Sequence, residues 1–359
     1  MSDDAARAWV LHVDMDQFIA AVEILRHPEL VGLPVVVGGR GDPTERAVVS
    51  TASYEARAFG VGSGMPLRIA ARKIPDAVFL PVDAPAYTAA SEEVMATLRA
   101  HPGATVQVLG WDEAFVGLRT ADPEDAARRI QADVLERTAL HCSVGIGDTL
   151  VRAKNATDFG KPRGVFRLTA ENWLAVLGDR PTIALWGIGT KISRRLEGLG
   201  IRTVRALADA DEAALVAEFG PKMGPWYRSL GRGEGSAVVD DTPWVPRGHG
   251  RETTFQTDVS DPSEIERVAR ALADEVLTEI DADGRPVVGV GLKVRYAPFL
   301  TKTFTRRIAP TSAHEPVMDA ILALVARIEP RPLRLLGVRA EMAMPDDARG
   351  GHTPTRGGW

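Results

Sequence analysis

Two acidic clusters, Asp14-Met15-Asp16 and Asp112-Glu113, each follow a short apolar run that reads as a buried strand. The runs are Trp9 to Val13 and Val106 to Leu109. Carboxylates gathered at strand ends repel one another and lose hydration, so the arrangement is costly unless cations neutralise it. A chain that folds around these two strands is therefore expected to carry divalent ions at their ends. Two hard cations held by Asp and Glu oxygens form a usual clamp for phosphoryl transfer.

The totals narrow the setting. At 359 residues the chain is long for one core and suggests about two to four domains. It is 45% apolar and 25% charged, with no apolar stretch long enough to span a bilayer, so no membrane association is expected. The start, Met1-Ser2-Asp3-Asp4, is acidic, and the apolar run after it is too short for a signal peptide. One cysteine, Cys142, excludes an internal disulfide framework and fits a reducing, cytoplasmic location. Cys142 sits in an apolar strand and reads as a small core residue. The seven histidines show no zinc-type spacing.

The net charge of −5 argues mildly against a polyanionic partner, but local distribution matters more. Lys293, Arg295, Lys302, Arg306 and Arg307 fall within fifteen residues that contain no acid. That segment is either a phosphate-binding surface or a solvated strand face.

Residues 9 to about 172 read as mixed strands and helices, including a strand over 46–51 and a helix over 84–100. The pattern over 173–235 is helical with short loops, and 236–246 reads as a linker. Residues 247–344 alternate as β-α-β-β-α-β, which suggests a small split βαβ domain. The tail, 345–359, is rich in Gly, Arg and Pro and is expected to be disordered.

Residues two apart on a strand share a face, so Asp14 and Asp16 should point together and Met15 away. Asp112 and Glu113 are adjacent and converge only at a turn or distortion, which Gly110 permits. The turn Gly110-Trp111-Asp112-Glu113-Ala114-Phe115 resembles that of GGDEF-type nucleotide cyclases. It equally resembles the Ser-x-Asp-Glu-Ala turn of Y-family DNA polymerases, with Gly for Ser.

Other segments separate the two. The run from His12 through Asp14-Met15-Asp16-Gln17-Phe18 to Glu23 resembles the opening motif of DinB-type Y-family polymerases. Thr51-Ala52-Ser53-Tyr54 to Arg57 and Gly60 resembles their fingers motif. Ser143 to Ile146, Ala153-Lys154 and Lys161 to Gly164 resemble the end of their palm. Gly187-Ile188-Gly189 is similar to the thumb hairpin, and Gly250 to Phe255 and Arg334 to Arg339 to the two ends of the little finger. The resemblance covers residues 9–343 in the family's order.

This resemblance implies an α+β right-hand polymerase and a monomer. The expected boundaries are palm 1–18 and 83–172, fingers 19–82, thumb 173–235 and little finger 247–344. It implies Asp14, Asp112 and Glu113 as metal ligands, with the Met15 carbonyl as a further donor, for two Mg²⁺ ions or Mn²⁺ in their place. Asp16 is not carried over as a ligand. Thr51, Tyr54, Arg57 and Lys161 match the triphosphate positions, and hydroxyls, a forked cation and a point charge suit phosphate oxygens. Gly187, Gly189 and Lys191, in a helix-hairpin-helix, and Arg251 in the little finger are expected to meet DNA phosphates. Primer-template DNA and deoxynucleotides are the implied partners.

Two departures stand out. The residue five after the first aspartate, normally an aromatic steric gate beneath the sugar, is Ile19; Phe18 lies one place early. An aliphatic side chain there leaves room for a 2′-hydroxyl, so ribonucleotides become expected substrates. A branch of actinobacterial DinB-type paralogues shows the same loss, and Gly110 to Glu113 resembles the turn of that branch. Residues 345–359 also carry no Gln- and Leu/Phe-containing sliding-clamp peptide. The alternatives to a polymerase are a palm-type cyclase and a catalytically silent DNA-binding paralogue.

Overall fold

The computed structural model describes residues 6–345, so the expected disordered tail lies, apart from Pro345, outside the described residues. The chain forms two compact units, one within the residues up to Thr242 and the other built chiefly from Pro243 onward. Among the described residues no helix is long and apolar enough to cross a membrane.

The first unit begins with β1 (Arg7–Met15), α1 (Phe18–Arg26), β2 (Val35–Val37), β3 (Thr51–Ala52), α2 (Tyr54–Ala58), α3 (Leu67–Lys73) and β4 (Val78–Leu80). It continues through α4 (Ala84–Ala100), β5 (Thr105–Val108), β6 (Glu113–Thr120), α5 (Pro123–Thr138), β7 (Cys142–Gly147), α6 (Leu150–Gly160) and β8 (Val165–Leu168). Four helices close it: α7 (Trp173–Leu177), α8 (Thr190–Gly198), α9 (Val204–Ala208) and α10 (Glu212–Gly231). Asp83 and Asp122 start α4 and α5 by accepting from Ala86 N–H and Asp125 N–H, each with a proline in the first turn.

Five strands form the main sheet in the order β5-β6-β1-β7-β8. Alternation along β1 divides its residues between two faces. Trp9, Leu11, Val13 and Met15 join the large core with α4 and α5 residues such as Tyr87, Leu98 and Ile130. Val10 packs with Phe115 and Ala153 of α6, which puts His12 and Asp14 on the α6 side. Cys142, opposite Met15 in the ladder, is 2% exposed. Burial first, and then the charges of Asp16 and Asp14, push its thiol up to about 12.

A smaller sheet has the order β3-β2-β4, and α1 packs against β2 and β3. The strand expected over 46–51 shrinks to Thr51–Ala52. Val49 turns its amide to the Met65 carbonyl and its carbonyl to Gly64 N–H, so those groups are satisfied within a loop. The strand β8 has no counterpart in the sequence reading.

The helix α6 lies almost backbone to backbone on β7. A methyl group at Gly145 would sit 2.2 Å from the Ala153 carbonyl oxygen and 2.4 Å from the Thr157 nitrogen. One at Gly147 would sit 2.4 Å from the Ala153 nitrogen. Only glycine permits that approach. The expected linker is partly fixed on this unit: Ser236 accepts from Leu150 N–H, Val239 packs with Val10 and Phe115, and Asp240 N–H donates to Gln107.

The second unit runs β9 (Gly248–Val259), α11 (Pro262–Asp283), β10 (Val287–Tyr296), β11 (Leu300–Thr311), α12 (His314–Val325) and β12 (Leu333–Met342). Its sheet has the order β11-β10-β12-β9 with antiparallel neighbours throughout. Each β-α-β pair is thus split by one inserted strand. Val290, Leu292, Val294 and Tyr296 bury under α11 and α12, which leaves the opposite face of the sheet open.

Gly145→Ala should destabilise the first unit by about 3 kcal/mol, because backbone atoms must shift to admit the methyl group. Urea unfolding measures it; a midpoint equal to the parent's would show that α6 can retreat without cost.

Candidate active site

The ladder register assembles the acidic site. Asp14 lies opposite Glu113 on β6 and opposite Ser143 on β7. Because paired residues share a face, Asp14 and Glu113 point the same way. Leu109 and Gly110 N–H groups both donate to the Glu113 carbonyl, forming a tight turn, and Met15 N–H takes the Asp112 carbonyl at 2.8 Å. Asp112 thus leaves the strand path at the turn, as its adjacency to Glu113 requires.

One ligand atom from each of His12, Asp14 and Glu113 lies within 4.8 Å of the others. Asp112 is outside that trio but lines one pocket with Asp14. Burial, then the charges of Asp14 and Glu113, push the Asp112 carboxyl above its ordinary value of 3.8. Burial also works against ionised Glu113, but a His12 hydrogen bond and Lys154 outweigh it and hold that carboxyl well below the usual range. Burial lowers the His12 pKa, and its Nδ1 meets Thr157 Oγ1 at 2.7 Å.

Two lysines bring countercharge. Lys154 of α6 bonds Glu113, reaches His12 Nε2 at 3.0 Å and stands 4.0 Å from Asp14. Lys161, just past α6, pairs with Asp14 at 2.8 Å. Burial opposes its charge, yet Asp14, with Asp158 and Asp16 farther off, holds its pKa above the usual lysine value.

The pocket beside the acids has a volume of about 160 Å³ and an almost wholly polar lining. Thr51, Tyr54, Arg57 and Lys161 all line it, so the structure brings the four expected triphosphate residues together with Asp14 and Asp112. Met15 and Phe18 line it too, although both side chains belong to the core, which leaves their main chain as the part available there. Ile19 is half-buried against the core and is not among the lining residues.

Three features escaped the sequence reading. Gln17 lines the pocket in a left-handed conformation, φ 45°, and accepts the Tyr54 N–H at 2.5 Å. Ser63 also lines it. The start of α1 there has no side-chain cap and no acid in its first turn, so its free N–H groups favour an anion. Only that missing cap was visible in the sequence.

The residues expected to contact nucleic acid are more dispersed. Gly187, Gly189 and Lys191 are exposed at the start of α8, which also lacks a side-chain cap. The helix expected before this hairpin is only one 3-10 turn, Thr182–Ala184, because Gly178 and Pro181 interrupt it. Arg251 is paired with Glu275 and Glu279 of α11. The five cations over 293–307 do not form one surface. Lys293, Arg295 and Arg307 occupy the open face, whereas Lys302 and Arg306 lie opposite the buried Val294 and Val290 and share their helix side. The two-residue period of β11 separates Arg306 from Arg307. Arg339, opposite Gly291, adds a fourth cation to the open face.

Comparison with known proteins gives this geometry its context. A family model for the impB/mucB/samB family matches residues 13–158, and one for its C-terminal domain matches residues 246–352. The chain is 48% identical over 345 residues to DNA polymerase IV 2 of Mycobacterium tuberculosis, covering 94% of this chain and 99% of that protein. In fold it is similar to the solved "Y-family DNA polymerase chimera Dbh-Dpo4(243-245)-Dbh", with a TM-score of 0.82, 24% identity, and coverage of 94% and 100%. It is also similar to an "Insertion ternary complex of Dbh DNA polymerase", with a TM-score of 0.64, 24% identity, and coverage of 94% and 99%. The chain therefore belongs to the impB/mucB/samB family and is a DinB-type, translesion-class DNA polymerase of the Y family.

Proposed function

We propose that the pocket is the nucleotidyl-transfer site, with Asp14, Asp112, Glu113 and the Met15 carbonyl holding two Mg²⁺ ions, or Mn²⁺ in their place. The observation that carries this reading is the polar pocket shared by Asp14, Asp112 and all four triphosphate candidates. The donor set fits hard cations: Asp14 stands beside Glu113 in one cluster and shares the pocket with Asp112, whose pKa is raised by burial and then by the charges of Asp14 and Glu113, which a cation would offset. Bound divalent ions would lower the pKa of the primer 3′-hydroxyl and neutralise the departing pyrophosphate. His12 is fully buried with both ring nitrogens engaged, so it orients Glu113 and Lys154 rather than acting as a ligand.

The chain's own groups bind and orient the triphosphate. Arg57 and Lys161 supply charge, Thr51 supplies a hydroxyl, Tyr54 borders the phosphates with its own hydroxyl proton given to Asp16, and the start of α1 supplies main-chain donors. Ile19, one turn before Glu23 on α1, takes the steric-gate position, and its short side chain leaves space beneath the sugar. The enzyme therefore uses ribonucleotides as well as deoxynucleotides on a primer-template. In the second unit the open sheet face, with Lys293, Arg295, Arg307 and Arg339, meets DNA phosphates, while Lys302 and Arg306 do not. The thumb contacts come from Gly187, Gly189 and Lys191. We take the palm, fingers, thumb and little finger as bounded near residues 19, 83, 173 and 247, and the protein as a cytoplasmic monomer.

Template-dependent primer extension tests the site. The parent should extend with deoxynucleotides and with ATP or UTP, and Asp112→Ala should abolish both. Ile19→Phe should keep deoxynucleotide extension and lose roughly 10–200-fold in ribonucleotide use. Equal ribonucleotide extension by parent and Ile19→Phe would remove the gate argument, and a cyclic product made without template would instead support a cyclase.

Arg307→Ala should weaken binding to any primer-template sequence and lower the salt slope by roughly 1, while Arg306→Ala should leave both unchanged. Filter binding across a salt series measures the difference, and equal effects would contradict the assignment of faces.

A raised folded-state pKa means that Asp112 favours the fold fully below its unfolded value, and that this contribution is lost as pH rises through the folded one. At neutral pH its charge therefore works against stability. With chelator present, Asp112→Asn should melt above the parent near neutral pH, the gap closing as pH falls toward the ordinary aspartate range. A lower melting temperature for the variant would contradict this.

A further inference from the structure

Asp16, two residues beyond Asp14, takes a different place from its neighbour. It is 4% exposed and absent from both the ligand trio and the pocket lining. Its carboxylate accepts three hydrogen bonds. The Tyr54 hydroxyl donates to Oδ1 at 2.9 Å, the Ser143 hydroxyl to Oδ1 at 2.8 Å, and the Arg163 N–H to Oδ2 at 2.8 Å.

These donors belong to three separate segments. Tyr54 opens α2, which also carries Arg57; the Arg57 guanidinium lies 5.1 Å from the centre of the Tyr54 ring. Arg163 follows Lys161 by two residues in the turn after α6. Ser143 is fully buried on β7, next to β1 in the main sheet, and gives the carboxylate a fixed footing there. The residue after Asp16 completes the grip, since Gln17 Oε1 takes the Tyr54 N–H. Tyr54 is thus held at its main chain by Gln17 and at its hydroxyl by Asp16.

We propose that Asp16 is a positioning residue for the incoming triphosphate, joining the Tyr54–Arg57 helix and the Lys161 turn to the main sheet, and that it binds no metal. This deepens, and rests on, the reading of the pocket as the nucleotidyl-transfer site. An ionised carboxylate only accepts, and all three neighbours only donate to it, so the match is to charge as well as shape. An Asn in its place must turn an NH₂ group toward one donor. The segments that carry the phosphate-side groups then lose a shared anchor, while the carboxylates at the reacting end are untouched.

The test separates nucleotide affinity from turnover. Incoming nucleotide is titrated onto the enzyme bound to a dideoxy-terminated primer-template, and steady-state extension is run in parallel. Asp16→Asn should raise both the nucleotide Kd and KM about tenfold, the loss of one charge-assisted hydrogen bond, with kcat within about threefold of the parent. Adding Tyr54→Phe to Asp16→Asn should cost less than Tyr54→Phe costs the parent, because the two share one contact. An unchanged Kd, fully additive effects, or a kcat collapse with KM unchanged would overturn the proposal. Asp112→Ala is the control. If it still extends primers, the reading of the pocket has failed; if it is inactive while Asp16→Asn matches the parent, only the role of Asp16 has failed. Should Asp16→Asn not fold, as judged by thermal melting, Ser143→Ala removes one donor to the same carboxylate outside the pocket. It should raise the Kd about threefold, and no change would overturn the proposal equally.

Discussion

The register of β1 between β6 and β7 is the constraint on which the candidate active site depends. The pairing Asp14↔Glu113 places two acids from distant parts of the sequence on one face, while Leu11, Val13 and Met15 sink into the opposite core. A slip of one residue would bury Asp14 among apolar side chains and expose Val13 at the site. The large cost of that exchange pins the strand, so the core on one face determines the chemistry on the other.

Next in importance is the helix that lies across this face. Gly145 and Gly147 let α6 approach β7 closely enough for Lys154 to reach Glu113, His12 and Asp14. Lys161 reaches Asp14 from the turn after α6. These ammonium groups offset negative charge that the clustered carboxylates would otherwise hold side by side. The glycines of one strand therefore govern the electrostatics of another.

Much of this was legible in the sequence. Apolar runs ending in acids marked β1 and the strand before the Asp112 turn, the pattern over 84–100 marked α4, and alternation marked the second unit. What escaped follows from contacts between distant residues. Nothing local marks Asp16 as the common acceptor for Tyr54, Ser143 and Arg163, because its neighbours in space are 38, 127 and 147 positions away. The cations over 293–307 read as one patch because charge counting ignores the two-residue period that separates Arg306 from Arg307. The shortened β3 reflects hydrogen bonds between Val49 and the Gly64–Met65 loop, which strand propensity does not encode.

The sealed thiol of Cys142 has a practical consequence. It is the chain's single cysteine, lies 2% exposed in β7, and burial keeps it protonated well above neutral pH. A cysteine engineered at an exposed position on the open face of β11, such as Thr303, would face no competition from it for maleimide dyes. Fluorescence reporters of nucleic-acid engagement can thus be attached at one chosen site without first stripping the native sulfhydryl.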